Sequence, residues 1–245
     1  HTHRGYLKHP FPRAGYAGMV TQMDDSVGQI VSLIDKLNLS DDTLVIFTSD
    51  NGPTFNRLGG SDSDFFRSAG EFKGLKGSLY EGGIRVPTIA RWPGKIAAGK
   101  VDRTSVFSAV DLLPTYCELA GAALPDNYQP DGVSQVRTLM GEGTPRREKP
   151  LFWKMAAPWP ARKSKPHHWV AYTVVHQDWK LVANTRLDYW ELYDIVADPY
   201  ETRDLKKDQP QTVSNLIQRI KQWKQTLPAR PTGKVFSAQR LSIKP

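Results

Sequence analysis

One cysteine, Cys117, occurs in 245 residues, which excludes an intramolecular disulfide and any multi-cysteine zinc site. A membrane-length apolar run is also missing: a helical span needs roughly 20 apolar residues in succession, and the apolar run Leu44–Phe47 stops at a polar turn. No internal repeat or low-complexity tract is present. The start at His1, with no Met, charged leader or apolar leader, is what a mature product or a fragment would show. Acidic residues are in deficit, 25 against 33 Lys+Arg, for a net charge of +8. That balance suits an anionic partner such as nucleic acid, an acidic glycan or a sulfate ester, or simply a solvated basic surface. The excess gathers in Arg146–Lys165 and after Leu227, without a nucleic-acid-reading motif, so nucleic acid is not an expected partner. What is abundant is apolar: 39% hydrophobic and 10% aromatic residues rule out global disorder and promise a core.

Apolar residues from Ala14 to Leu39 (Met19, Val20, Met23, Val27, Ile30, Val31, Ile34, Leu37) recur at spacings of three and four, which predicts a helix with one apolar stripe. Thr43–Thr48 is β-branched and apolar without alternation, the pattern of a strand covered on both faces in a parallel sheet. Residues 54–83 are rich in glycine and poor in apolar side chains, so a long irregular loop is expected, a kind that is usually functional or disordered. A second strand follows in Val86–Gly94, then a helix over Ser108–Ala120 with Pro114 in its first turn. Composition shifts to Gly, Pro and charge at Gly141–Arg147, a candidate boundary. Beyond it, Leu151–Trp153, His168–Val175, Trp179–Ala183 and Trp190–Tyr193 read as strands of an antiparallel sheet, and Gln209–Leu227 as a final helix. The expected class is α/β: a mixed, mostly parallel sheet flanked by helices over 1–145, then a smaller α+β unit over 146–245.

Chemistry is concentrated at the end of the first strand. Asp50 and Asn51 offer a carboxylate and an amide carbonyl, hard oxygen ligands suited to Ca²⁺ or Mg²⁺; Asp-Asn-Gly-Pro is equally a good turn sequence. Lys76 sits among glycines in Gly74–Pro87, where it could meet an anion as a point charge or remain a solvated loop lysine. The phosphate-cradling spacing G-x-x-x-x-G-K-[ST] is absent. His1 and His3 would share a face of an extended strand, either as a terminal surface pair or as functional imidazoles. His167 and His168 read as surface or packed residues, and Cys117 as an inert small hydrophobe on a packed helix.

Read in order, Thr43–Gly52, then Lys76 with Tyr80–Pro87, then Trp92-Pro93-Gly94 and Asp111–Thr115, this sequence resembles the C-terminal half of a type I, formylglycine-dependent arylsulfatase of the alkaline-phosphatase-like superfamily. The resemblance continues through Trp179-Lys180-Leu181, Glu191–Ile195 and Asp198–Leu205, and so covers nearly the whole chain. It implies that Asp50 and Asn51 are ligands of an active-site Ca²⁺, with Mg²⁺ as the alternative. Lys76 would then bind a sulfate oxygen. His3, or His1 in its place, would match the histidine that contacts the sulfate, although the family usually shows His-x-Pro where this chain has His1-Thr2-His3-Arg4. Glu81 and Arg85 would be structural, holding the loop that presents Lys76.

The family's Cys/Ser-x-Pro-Ser-Arg motif, source of the formylglycine nucleophile, does not occur here, nor does its N-terminal pair of metal-binding aspartates; Cys117 is followed by Glu118-Leu119-Ala120. This chain supplies no nucleophile, so formylglycine is expected in an upstream segment, the N-terminal half of the same protein being the implied partner. The implied function is sulfuric ester hydrolysis of sulfate monoesters, sulfated polysaccharides among them, with little turnover by the chain alone. The alternatives are phosphate or phosphonate ester hydrolysis and non-catalytic binding of sulfated glycan. Asn51 after Asp50, rather than His, favours the sulfatase branch. A periplasmic, secreted or lysosomal location is implied by the resemblance.

Overall fold

A computed structural model of the chain describes residues 10–54, 62–143, 147–155 and 170–228. His1, His3, His167 and His168 lie outside the described residues. The chain begins with α1 (Pro12–Lys36), in which Pro12 occupies the first turn, where a missing N–H costs nothing. β1 (Val45–Thr48) follows a single 3₁₀ turn, Ser40–Asp42, and ends at the Ser49–Pro53 turn. A short helix α2 (Glu81–Ile84) precedes β2 (Thr88–Arg91), and α3 (Leu112–Leu119) and α4 (Val136–Leu139) complete the first part. Pro114 lies in the first turn of α3, as expected.

The surroundings of β1 differ from the expectation in one respect. β1 pairs with β2 in antiparallel register, Val45 opposite Arg91 and Thr48 opposite Thr88, a direction that the apolar run Thr43–Thr48 does not reveal. But β1 is not covered on both faces: Val45, Ile46 and Phe47 are half-buried and Thr48 is exposed, in a sheet that has no third strand among the described residues. The stripe on α1 is real in periodicity and yet open, with Met19, Ile30, Leu33 and Leu37 each more than half exposed and no residue of the helix buried. Polar ties hold α1 instead: Asp35 to Arg91 at 2.8 Å and Arg13 to Asp62 at 2.8 Å.

The second part is a four-stranded antiparallel sheet in the order β3 (Leu151–Lys154), β4 (Tyr172–His176), β5 (Trp179–Ala183), β6 (Trp190–Asp194), followed by α5 (Pro210–Thr226). Strand side chains alternate between faces, which sorts this sheet into two chemistries. Tyr172, Val174, Leu181, Ala183 and Leu192 pack on Val213, Leu216, Ile217 and Ile220 of α5. Each such large side chain contributes about 1.5–3 kcal/mol on burial. The opposite face carries Leu151, Val175, Val182 and Tyr193, with Tyr80, Val106 and Trp153 packed beside them. By the same alternation it also carries Lys180 and Glu191, polar groups aimed away from α5.

Candidate active site

Backbone packing brings the Asp50 turn and the Lys76 loop together. The Gly52 N–H donates to the Gly83 carbonyl at 2.9 Å, and the Lys76 N–H donates to the Pro53 carbonyl at 2.8 Å. A β-carbon on Gly52 would overlap the Gly82 carbonyl, and one on Gly83 would overlap that of Ser78. Glycine is therefore required by close approach of one main chain to another. In this way two segments remote in sequence present Asp50, Asn51 and Lys76 to one cleft of about 560 Å³.

Within that cleft the three side chains are open to an incoming group. Asp50 and Lys76 are exposed, and neither carboxylate nor ammonium has a partner among the described residues. Asn51 donates its amide N–H to the Gly52 carbonyl at 3.0 Å, while its side-chain carbonyl oxygen accepts no hydrogen bond among the described residues. Two hard oxygens facing a shared space fit a hard dication such as Ca²⁺ in donor type. They are two of the six to eight oxygens that Ca²⁺ takes, and the described residues hold no group of three or more His, Cys, Asp or Glu able to hold a metal. The sequence thus brought Asp50, Asn51 and Lys76 to one place; the histidine of the expected set, His3 or His1, is outside the described residues.

Side chains that sequence reasoning missed complete the cleft and its support. Trp153 and Met155, from and just after β3, line the cleft with Asp50 and Lys76. Behind the loop, Lys180 is fully buried and meets Glu81 at 2.8 Å and Glu201 at 2.8 Å. Arg85 meets the other Glu81 oxygen at 2.5 Å, and Glu201 accepts the Glu81 N–H at 2.7 Å. Burial pushes Glu81 upward, but Lys180 and Arg85 outweigh it and hold the carboxyl below its usual range. For Glu201 burial prevails over the same lysine, and its pKa is raised. Glu81 and Arg85 thus hold the loop that carries Lys76, as the sequence led us to expect, through a lysine that periodicity alone could not place.

A second clamp lies beside the first. Glu191 accepts hydrogen bonds from the hydroxyls of Tyr80 at 2.7 Å, Tyr193 at 2.6 Å and Tyr189 at 2.8 Å, and pairs with Lys73 at 3.3 Å. Burial raises the Glu191 pKa, and the three hydroxyls then bring it down to about 2. Burial and the adjacent carboxylate push Tyr189 up to about 12 and raise Tyr80 and Tyr193 as well. A third tie joins the two parts at Asp111, fully buried, whose carboxylate takes two bonds from Arg147 at 2.8 and 2.9 Å. Such bidentate pairing fixes geometry as well as charge.

The sulfatase family model matches residues 11–122, and the model for the C-terminal region of N-sulphoglucosamine sulphohydrolase matches residues 70–227, more than half of the chain. N-acetylgalactosamine-6-O-sulfatase of Bacteroides thetaiotaomicron is 31% identical over 241 residues, covering 86% of this chain and 44% of that protein. Human arylsulfatase A is 34% identical over 225 residues, covering 86% and 42% respectively. Among solved structures, Ps i-CgsB in complex with k-i-k-neocarrahexaose matches with a TM-score of 0.69 at 29% identity, covering 89% of this chain and 44% of that one. The chain spans under half the length of these relatives. By its matches and its architecture, the chain belongs to the sulfatase family, with a partial alkaline-phosphatase-like fold.

Proposed function

We propose that this chain is part of a sulfuric ester hydrolase acting on sulfate monoesters of carbohydrates. The observation that carries the proposal is the convergence of Asp50, Asn51 and Lys76 on one cleft. In this reading Asp50 and Asn51 hold Ca²⁺, or Mg²⁺ in its place. The dication would offset sulfate charge and help to position the nucleophile. The Lys76 ammonium binds a non-bridging sulfate oxygen, where fixed positive charge stabilises the charge that develops as the S–O bond breaks. His3, with His1 as the alternative, contacts the same group. The formylglycine belongs to a segment outside this chain, and so do the remaining metal ligands.

The substrate class is suggested by the names of the relatives, one an N-acetylgalactosamine-6-O-sulfatase and one seen in complex with k-i-k-neocarrahexaose. The open stripe of α1 and the exposed Ile89 of β2 support a covering layer supplied by the N-terminal half of the protein, without which turnover is not expected. The division at 145/146 is retained, with Arg147–Asp111 as the tie across it. A periplasmic, secreted or lysosomal location is part of the same proposal; no helix among the described residues is long and apolar enough to cross a membrane.

Titration of the chain with Ca²⁺ and with inorganic sulfate tests the site itself. Asp50→Ala should abolish Ca²⁺ binding and Lys76→Ala should abolish sulfate binding. Retention of both by both variants would refute the assignment.

A further inference from the structure

We propose that Trp153 is a specificity-determining residue, the wall on which the sugar ring of the sulfated substrate packs; the inference rests on the sulfate-ester reading of the cleft. β3 is an edge strand of its sheet, and alternation divides its side chains between two surroundings. Phe152 turns to the α5 side, where it stacks on Trp223 with ring centroids 4.9 Å apart and planes at 8°. Trp153 turns the other way, toward Tyr80 and the glycine loop, and lines the same cleft as Asp50, Asn51 and Lys76.

Trp153 is half-buried, so one part of the indole is packed and another faces the cleft. Its N–H makes no hydrogen bond among the described residues and is available to a ligand. The lining combines two kinds of chemistry: Asp50, Asn51, Lys76 and Lys154 are charged or polar, and Leu79, Ile84, Trp153 and Met155 are apolar. A sulfate held by the charged groups leaves the alcohol half of the ester to the apolar ones. A pyranose suits that surface, since it offers an apolar C–H face to an aromatic ring and hydroxyls at its edge to an indole donor. Pockets of this kind take affinity from apolar contact and orientation from a few placed polar groups. No other large aromatic side chain lines the cleft among the described residues.

The test is ligand-observed saturation-transfer NMR with competition, which tolerates self-association of the 245-residue chain. The probes are inorganic sulfate, N-acetylgalactosamine 6-sulfate and p-nitrophenyl sulfate, in Ca²⁺-containing buffer. The wild-type chain should prefer the sugar sulfate to inorganic sulfate. Trp153→Ala should weaken the sugar sulfate about tenfold, the upper end for an aromatic contact, and leave inorganic sulfate unchanged. Trp153→Phe, which keeps a ring and the packing, should recover part of the loss; a thermal melt confirms that it folds. Equal weakening of sulfate and sugar sulfate in both variants would mark Trp153 as merely structural and overturn the inference. So would an unchanged sugar affinity, or a loss confined to p-nitrophenyl sulfate, which would assign the wall to aryl esters. If the wild-type chain binds none of the three probes, the sulfate reading itself falls, an outcome distinct from failure of Trp153 alone.

Discussion

Replacing Lys180 with Met should destabilise the chain by about 3–5 kcal/mol at pH 7, the range for removing one partner from a buried ion pair. Lys180 is fully buried at 2.8 Å from both Glu81 and Glu201. Without it, two carboxylates face each other out of water. Arg85 still serves Glu81, and the Glu81 N–H still serves Glu201, which places the cost within the range rather than above it. The pH dependence gives a second, independent sign. In the wild type Glu81 is held below its usual pKa, so its contribution is present above that usual value and is lost as pH falls through the lowered one. Glu201 is raised, so its burial costs stability as pH rises from the ordinary carboxylate pKa toward the raised one. Loss of the lysine moves both upward, so Lys180→Met should be least harmful near pH 4.5, where the two glutamates can take up protons, and most harmful at pH 7. Urea unfolding at the two pH values, followed by tryptophan fluorescence, measures this. The loop amides of Leu75–Ser78 should also exchange faster, by up to about a hundredfold if about 3 kcal/mol of local protection is lost. A loss under about 1 kcal/mol, or the same loss at both pH values, would refute the reasoning.

Gly52→Ala puts a β-carbon into the Gly82 carbonyl and should cost about 3 kcal/mol, with a lower melting temperature and loss of sulfate binding. Glu191→Gln should flatten the acid limb of the stability curve. The wild-type carboxylate is held at about 2, so its contribution is full above the usual glutamate pKa and fades as pH falls toward 2; acid titration of the melting temperature reads this. Ile30→Lys on the open α1 stripe should reduce self-association of the isolated chain in sedimentation velocity and leave its melting temperature within about 1 °C, since an exposed substitution changes stability little.

Elements that depend on local pattern were readable from the sequence: Trp179–Ala183 is a strand as expected, and the final helix is displaced by a single residue at each end. The Asp50–Asn51 turn and Lys76 were also visible, because strand ends and glycine loops have composition signatures. Strand direction was not: Thr43–Thr48 has the apolar density of a buried parallel strand, and nothing in that run says that β2 lies antiparallel beside it. What covers the stripe of α1 was not legible either, since periodicity gives the stripe but not the surface against it. Trp153, Lys180 and Glu191 were hidden because their role comes from the face that strand alternation assigns them and from contacts across long sequence separations. The capping interactions of Asp111 with Ser108 are local, yet its pairing with Arg147 is not.

The most direct test of the central claim is sulfate release from N-acetylgalactosamine 6-sulfate by the protein carrying all of its polypeptide, comparing wild type with Lys76→Ala and Asp50→Ala. Release by the wild type is expected, with a loss of at least about a hundredfold in each variant, the scale for removing a single oxyanion-stabilising group. Undiminished release by either variant would contradict the claim.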